Sequence, residues 1–222
     1  MSDIFPKWTN KLPQRIIVGA LLVGTAVTAG VTYYCTPKYL RVGYQPVQPV
    51  AFPHDIHAGQ LGIDCRYCHS TVEKSWFSNI PSAGTCMNCH NQILKDDPKL
   101  ALVRESAATG KTIPWVQIHK VPDYVYFNHS VHVNRGISCV ECHGKINEMS
   151  EVYHAKPFGM AFCLDCHRDP SAKLRPPDKI TDLNWKWSDD PKQAAEMQKL
   201  NGQKFAHDWK VQSMQSCSTC HR

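Results

Sequence analysis

Residues 127–143 read FNHSVHVNRGISCVECH, and seventy-five positions earlier residues 52–69 read FPHDIHAGQLGIDCRYCH. Each stretch opens with Phe-x-His-x-x-His (Phe52, His54, His57; Phe127, His129, His132) and closes with Cys-x-x-Cys-His. The interval from first histidine to first cysteine is 11 residues in one copy and 10 in the other. About twenty residues beyond each lies a second Cys-x-x-Cys-His, at Cys86–His90 and Cys163–His167. A truncated third copy begins at Phe205-Ala206-His207 and reaches Cys217 ten residues after its histidine, but Lys210 stands where the second histidine would be. The chain therefore reads as repeats over about 52–126, 127–204 and 205–222, with motifs grouped two, two and one.

Ten of the 11 cysteines belong to these motifs: Cys65 and Cys68, Cys86 and Cys89, Cys139 and Cys142, Cys163 and Cys166, Cys217 and Cys220. His69, His90, His143, His167 and His221 follow them. Two cysteines at this spacing can form thioethers to the two vinyl groups of a haem, and the adjoining histidine then reaches the iron. Zinc is the rival, because Cys68 to Cys86 and Cys142 to Cys163 have zinc-ribbon spacing. A four-cysteine zinc site has no use for the following histidine. With histidine at about one residue in 18, five coincidences have a probability of order 10⁻⁶ to 10⁻⁷. The fifth pair also lacks a partner pair, and an odd cysteine count leaves a thiol over in any disulfide scheme. Five covalent haem c groups are expected.

That expectation changes the meaning of the net charge of +6. Only five of the 25 basic and one of the 19 acidic side chains lie in the first fifty residues, so the remainder is +2 as polypeptide. Ten haem propionates would offset this, and the basic balance is no nucleic-acid footprint.

Ile16 to Tyr34 (IIVGALLVGTAVTAGVTYY) is 19 residues without a charge, about 28 Å as a helix, enough for a bilayer core. The expected organisation is a cytoplasmic N-terminus over 1–15, a transmembrane anchor over 16–35, a proline-rich linker over 36–53 and a haem domain over 54–222. Haem c is attached outside the cytoplasmic membrane, so the domain should be periplasmic on a bacterial inner membrane. A cleaved signal peptide is the alternative, with Val27-Thr28-Ala29 as a cleavage-like site. Cys35 belongs to no motif and reads as an interfacial thiol.

A low-spin electron-transfer haem needs a second axial ligand. His54, His57, His129 and His132 are the candidates in the repeats, each pair one helical turn apart and able to serve two different irons. For the fifth site three residues compete: His207 by its place in the repeat, His119 in the aromatic, proline-bounded stretch before the second repeat, and Met160 three residues before Cys163. His154 reads as a surface residue. No residue reads as catalytic.

Helices are expected over Pro98 to Ala108 and Pro191 to Leu200, the latter with Ser188 as a candidate cap and Asp189 and Asp190 suited to its start, plus short turns at the haem histidines; strands are not evident. About 34 residues per haem leave too little chain for a separate hydrophobic core. The fold class is mainly α with much irregular coil: one transmembrane helix and a multihaem domain whose core is the haems.

The repeated Phe-x-His-x-x-His with Cys-x-x-Cys-His resembles the class III cytochromes of the c3 and c7 types. The single N-terminal helix, the motif spacing, the stretch 119–129 (HKVPDYVYFNH) and the terminal Cys217-Ser218-Thr219-Cys220-His221-Arg222 together resemble the membrane-anchored pentahaem subunit of alternative complex III. That resemblance implies an electron-relay subunit of a quinol:acceptor oxidoreductase. It also implies partners: integral-membrane quinol-binding subunits, an iron–sulfur subunit and a monohaem cytochrome c. It implies four bis-histidine haems and one methionine–histidine haem, which favours Met160, whereas the repeat favours His207. Two alternatives remain: a stand-alone membrane-anchored quinol dehydrogenase feeding a periplasmic reductase, and a multihaem reductase with an open haem site.

Overall fold

The structure is a computed structural model, and it describes residues 5–35 and 41–221. Residues 1–4 of the expected cytoplasmic stretch, 36–40 of the expected linker and Arg222 lie outside the described residues. The chain divides into two compact units, 1–42 and 43–222.

In the first unit a short 3-10 turn over Lys7–Lys11 leads into helix α1, Leu12–Cys35. Its 24 residues extend about 36 Å, more than the roughly 30 Å of a bilayer core. Ile16, Leu21, Leu22 and Val23 are all more than half exposed. This exposed, apolar helix has the length and composition to cross a membrane.

The second unit is built from short helices: α2 Cys65–Cys68, α3 Ala83–His90, α4 Ala101–Thr109, α5 His129–Val133, α6 Cys139–His143, α7 Met160–Arg168, α8 Pro191–Asp208 and α9 Cys217–Cys220. Among the described residues β pairing is limited to isolated bridges, Val125 with His221 and Ile137 with Leu174. The mainly helical, strand-poor class expected from sequence is what the chain adopts.

Residues from Gly43 onward pack on this unit. The Gly43 amide donates to the His154 carbonyl at 2.8 Å, and the Gln48 side chain exchanges two hydrogen bonds with Val116. Val50 is buried against Ala83 and Val103. This cluster and scattered residues such as Leu174, Ile180 and Leu183 make a small apolar interior, while Trp76, Leu61 and Tyr124 stay about two-thirds exposed. Among the described residues His154 is the one histidine that is fully buried, and the motif cysteines are half-buried or exposed.

The cap of α8 is Asp190, not Ser188: the Asp190 carboxylate accepts from the Lys192 and Gln193 amides, and Pro191 occupies the first helical position. The Ser188 hydroxyl instead accepts from the Asp190 amide and donates to Gln193 Oε1. The helix also runs on to Asp208, past the expected end at Leu200, because Gly202 lets it lie directly on the Ser171 carbonyl, where a Cβ would collide. At Gly136 the backbone takes φ +81°, and a Cβ there would meet the Arg175 carbonyl at 2.6 Å. This turn, tied by the Arg175 amide to the Gly136 carbonyl, aims the chain into α6.

Candidate haem-binding centres

Each Cys-x-x-Cys-His motif lies on a short helical turn or at a helix end. Two cysteines three apart share one helix face, and the histidine follows at the exit. Asp64, Ser138 and Ser216 precede the first cysteine of their motifs in extended conformation, the geometry of an N-cap. Asp64 accepts from the Arg66 amide at 2.8 Å; the Ser138 hydroxyl donates instead to the Ile180 carbonyl at 2.6 Å, anchoring α6. None of the ten motif cysteines is joined in a disulfide, and each is half-buried or exposed.

Four of the five motif histidines are held through Nδ1 by backbone carbonyls, while His143 Nδ1 is buried without a hydrogen-bond partner. His69 pairs with Asn79 at 2.6 Å, His90 with Ile93 at 3.0 Å, His167 with Met214 at 2.9 Å and His221 with Tyr124 at 3.3 Å. A carbonyl at Nδ1 selects the tautomer that leaves Nε2 as the lone-pair donor to a metal.

The repeat histidines are built the same way. His57 Nδ1 bonds the Pro53 carbonyl four residues back at 2.8 Å, and His132 bonds the Asn128 carbonyl four back at 2.7 Å. Phe52 lies edge-on to His54 at 4.8 Å and stacks on His57 at 4.4 Å; Phe127 repeats this on His129 and His132 at 4.7 and 4.6 Å. The phenyl ring fixes both imidazoles, which is the physical use of the aromatic in the motif.

Two metal–imidazole bonds of about 2 Å, one on each side of an iron, put ring centroids on the order of 6 Å apart. His57 and His90 stand 6.2 Å apart with planes at 60°, and His132 and His167 stand 6.1 Å apart at 63°. These equivalent pairs arise in both repeats. His129 and His143 are 6.4 Å apart with near-parallel planes. His54 is pushed down to about 4, mainly by burial and then by the neighbouring His69 and His57. Burial also lowers His129, His132 and His143, so these rings are held neutral, as metal ligation requires. The residues present fit axial ligation of haem iron.

His119 packs edge-on to His143 at 4.4 Å and lies 5.3 Å from His154. His154 is fully buried, with its ring 4.6 Å from Phe158, and the expectation that it lies on the surface is corrected. It sits outside the repeat, so nothing in its spacing signalled burial; the packing of residues 43–44 over it does so, through the Gly43 amide and the Tyr44 carbonyl.

The third copy departs from the other two. Phe205 stacks on Trp209 at 4.5 Å, and His207 is 89% exposed beside the Asp208 carboxylate. The continuous helix α8 points His207 outward, and the structure brings no motif histidine to it. Met160 opens α7 and is exposed, one turn before Cys163 on the same face. Cys35 ends α1, exposed.

Thiol pairs on short helices, histidines tethered through Nδ1 and imidazoles spaced for an intervening iron define a multihaem electron-transfer cytochrome c. Comparison with known proteins agrees. Residues 36–112 match the class III cytochrome C family, and residues 125–222 match cytochrome c7 and related cytochrome c. The chain thus carries class III and c7-type multihaem cytochrome c domains. It is similar to the multihaem cytochrome c subunit of menaquinone reductase from Nitratidesulfovibrio vulgaris, 34% identical over 122 residues covering 54% of this chain and 56% of that one. It is also similar to the cytochrome subunit of acrylate reductase from Shewanella woodyi, 28% identical over 113 residues covering 51% of this chain and 70% of that one. The chain spans little more than half the length of the first relative.

Proposed function

We propose that this chain is a pentahaem cytochrome c, anchored by α1 in the bacterial inner membrane with its haem domain periplasmic. It relays electrons within a quinol-oxidising respiratory complex of the alternative complex III kind to a periplasmic acceptor. The observation that carries this reading is the pair of equivalent imidazole couples, His57 with His90 and His132 with His167. Two saturated sites of identical geometry suit one-electron transfer rather than substrate turnover, which needs an open position beside acid–base groups.

The residues that would hold the irons are His57 with His90, His129 with His143 and His132 with His167 by their ring spacing, and His54 with His69 by analogy within the repeat. The 6.4 Å separation favours His129 over the closer His119 for the His143 iron. For the His221 iron, the family resemblance favours Met160, exposed at the start of α7, over His119, which packs against His143, and over the outward-facing His207. A haem c iron supplies reversible ferric–ferrous exchange when bound. The chain orients six of these imidazoles, all but His54 and His143, through carbonyls at Nδ1, disfavours the protonated form of His54, His129, His132 and His143 by burial, and packs Phe52 and Phe127 against the repeat histidines. Partners of the same complex would be integral-membrane quinol-binding subunits, an iron–sulfur subunit and a monohaem cytochrome c.

The experiment is purification of the full chain from its native membrane followed by addition of a reduced quinol. Co-migrating membrane subunits and haem reduction sensitive to quinol-site inhibitors are expected. A chain that migrates alone and donates to a soluble periplasmic reductase would establish the second reading, which the similarity to the acrylate reductase subunit favours.

A further inference from the structure

We infer that the five attachment motifs form one unbranched series whose order differs from their order in the sequence. It runs from Cys86–His90 to Cys65–His69, crosses to Cys139–His143, and continues through Cys163–His167 to Cys217–His221. This inference rests on the relay reading above and adds its path.

Residues beside the motifs place the crossing. Asp64, just before Cys65, accepts from the Thr181 hydroxyl at 2.9 Å, and Ser138, just before Cys139, donates to the carbonyl of the adjoining Ile180 at 2.6 Å. The first and third motifs thus begin on one two-residue stretch. A thioether sulfur sits one carbon from the porphyrin edge, so motifs that begin together would bring macrocycle edges together.

Hydrogen bonds mark three of these junctions and ion-paired packing the fourth. Asn88 Nδ2 donates to the Tyr67 hydroxyl at 2.9 Å, joining the second motif to the first. Asn134 Nδ2 donates to the Glu73 carbonyl at 2.8 Å, and His129 Nδ1 bonds the Trp76 carbonyl at 2.8 Å, docking the second repeat on the first. Glu141 of the third motif pairs with Lys173 and Arg175, just beyond the fourth. Ser213 Oγ donates to the His167 carbonyl at 2.7 Å, and His167 Nδ1 meets the Met214 carbonyl, joining the fourth motif to the fifth.

Exposure agrees with this order. Among the ten motif cysteines, Cys89 and Cys217 are the exposed ones, and they belong to the two termini of the series. The middle motif is the most enclosed: none of Cys139, Val140, Glu141, Cys142 and His143 is exposed, whereas each of the other four motifs has at least one exposed residue. Electrons can therefore be exchanged with partners at the Cys86–His90 and Cys217–His221 ends. One electron moves per step between neighbouring irons and no bond is made or broken. A quinol, through the partner subunits, supplies the electrons, and a one-electron metalloprotein removes them.

The test is the set of iron positions in the haem-loaded full chain, determined from density. The expected result is that the nearest neighbour of the His90 iron is the His69 iron, that of the His221 iron is the His167 iron, and that the two halves meet through the His69 and His143 irons. A His90 iron nearer to the His143 or His167 iron than to the His69 iron overturns the order, as does a His221 iron nearest to any but His167. The relay reading fails separately, through absence of quinol-driven reduction, whatever the iron map shows.

Discussion

Replacing Asp64 tests how the first attachment helix is held. Its carboxylate caps α2 through the Arg66 amide at 2.8 Å, accepts from Arg66 Nε at 2.9 Å and from Arg66 Nη2 at 2.9 Å, and receives the Thr181 hydroxyl at 2.9 Å. These bonds, led by those from the Arg66 side chain, pull the acid from 3.8 down to about 2. A drop of about two units corresponds to at most ~2.5 kcal/mol of differential stabilisation of the anion. The Asp64 and Arg66 side chains are 41% and 44% exposed, so solvent screening reduces this to ~1 kcal/mol. Asp64→Asn keeps a capping side chain and removes the charge; it should lose ~1 kcal/mol at neutral pH. Asp64→Ala also loses the cap and should lose ~2 kcal/mol. Because the folded-state value is depressed, this stability is fully present above about pH 4 and disappears as pH falls towards 2. Denaturant titrations of the haem-loaded protein, followed by Soret absorbance from pH 7 to pH 2, should show the Asn variant and the parent converging in acid. An Asn variant that keeps the parent's acid slope, or loses nothing at pH 7, refutes the argument.

His57→Met and His132→Met should each raise one midpoint potential by on the order of 0.1 V, a fraction of the ~0.8 V over which axial ligands act. The two shifts should be alike because the sites are geometrically equivalent, and a redox titration reads them. Met160→His should abolish a methionine-ligated haem signature and lower one potential, whereas His207→Ala should leave the haem spectrum and potentials unchanged. Haem-stained, pyridine-treated protein should contain haem c close to five per chain; a value near zero with bound zinc would return the metal-ribbon reading. Gly202→Ala places a methyl into the Ser171 carbonyl and should cost about 1–3 kcal/mol by chemical denaturation, with haem content unchanged.

Much of the site was readable before folding because covalent chemistry imposes spacing. A thioether pair and its histidine must be contiguous, so Cys65–His69 and its four counterparts announce themselves in one dimension. The Phe-x-His-x-x-His element is also local: Phe52 and Phe127 reach both histidines within one turn, and repetition exposes the pattern. The class of fold follows from the same counts, since so few residues per motif cannot build an aliphatic core. The sequence leaves Ser188 and Asp190 both competent at the start of α8, and Pro191 settles the cap on Asp190 by starting the helix one residue later.

What spacing could not supply are the relations between segments far apart in the chain. His57 meets His90 across 33 positions and His129 rests on Trp76 across 53, and no periodicity encodes either. His154 carries no motif, yet the fold buries it completely beneath residues 43–44 and Phe158. His207 carries the motif, yet a helix continued through Gly202 turns it to solvent. Local chemistry therefore names the ligands, because bond lengths act within a few residues. Which ligand faces which, and in what order the centres touch, depends on how the repeats dock, because long-range packing and carbonyl tethers orient the rings.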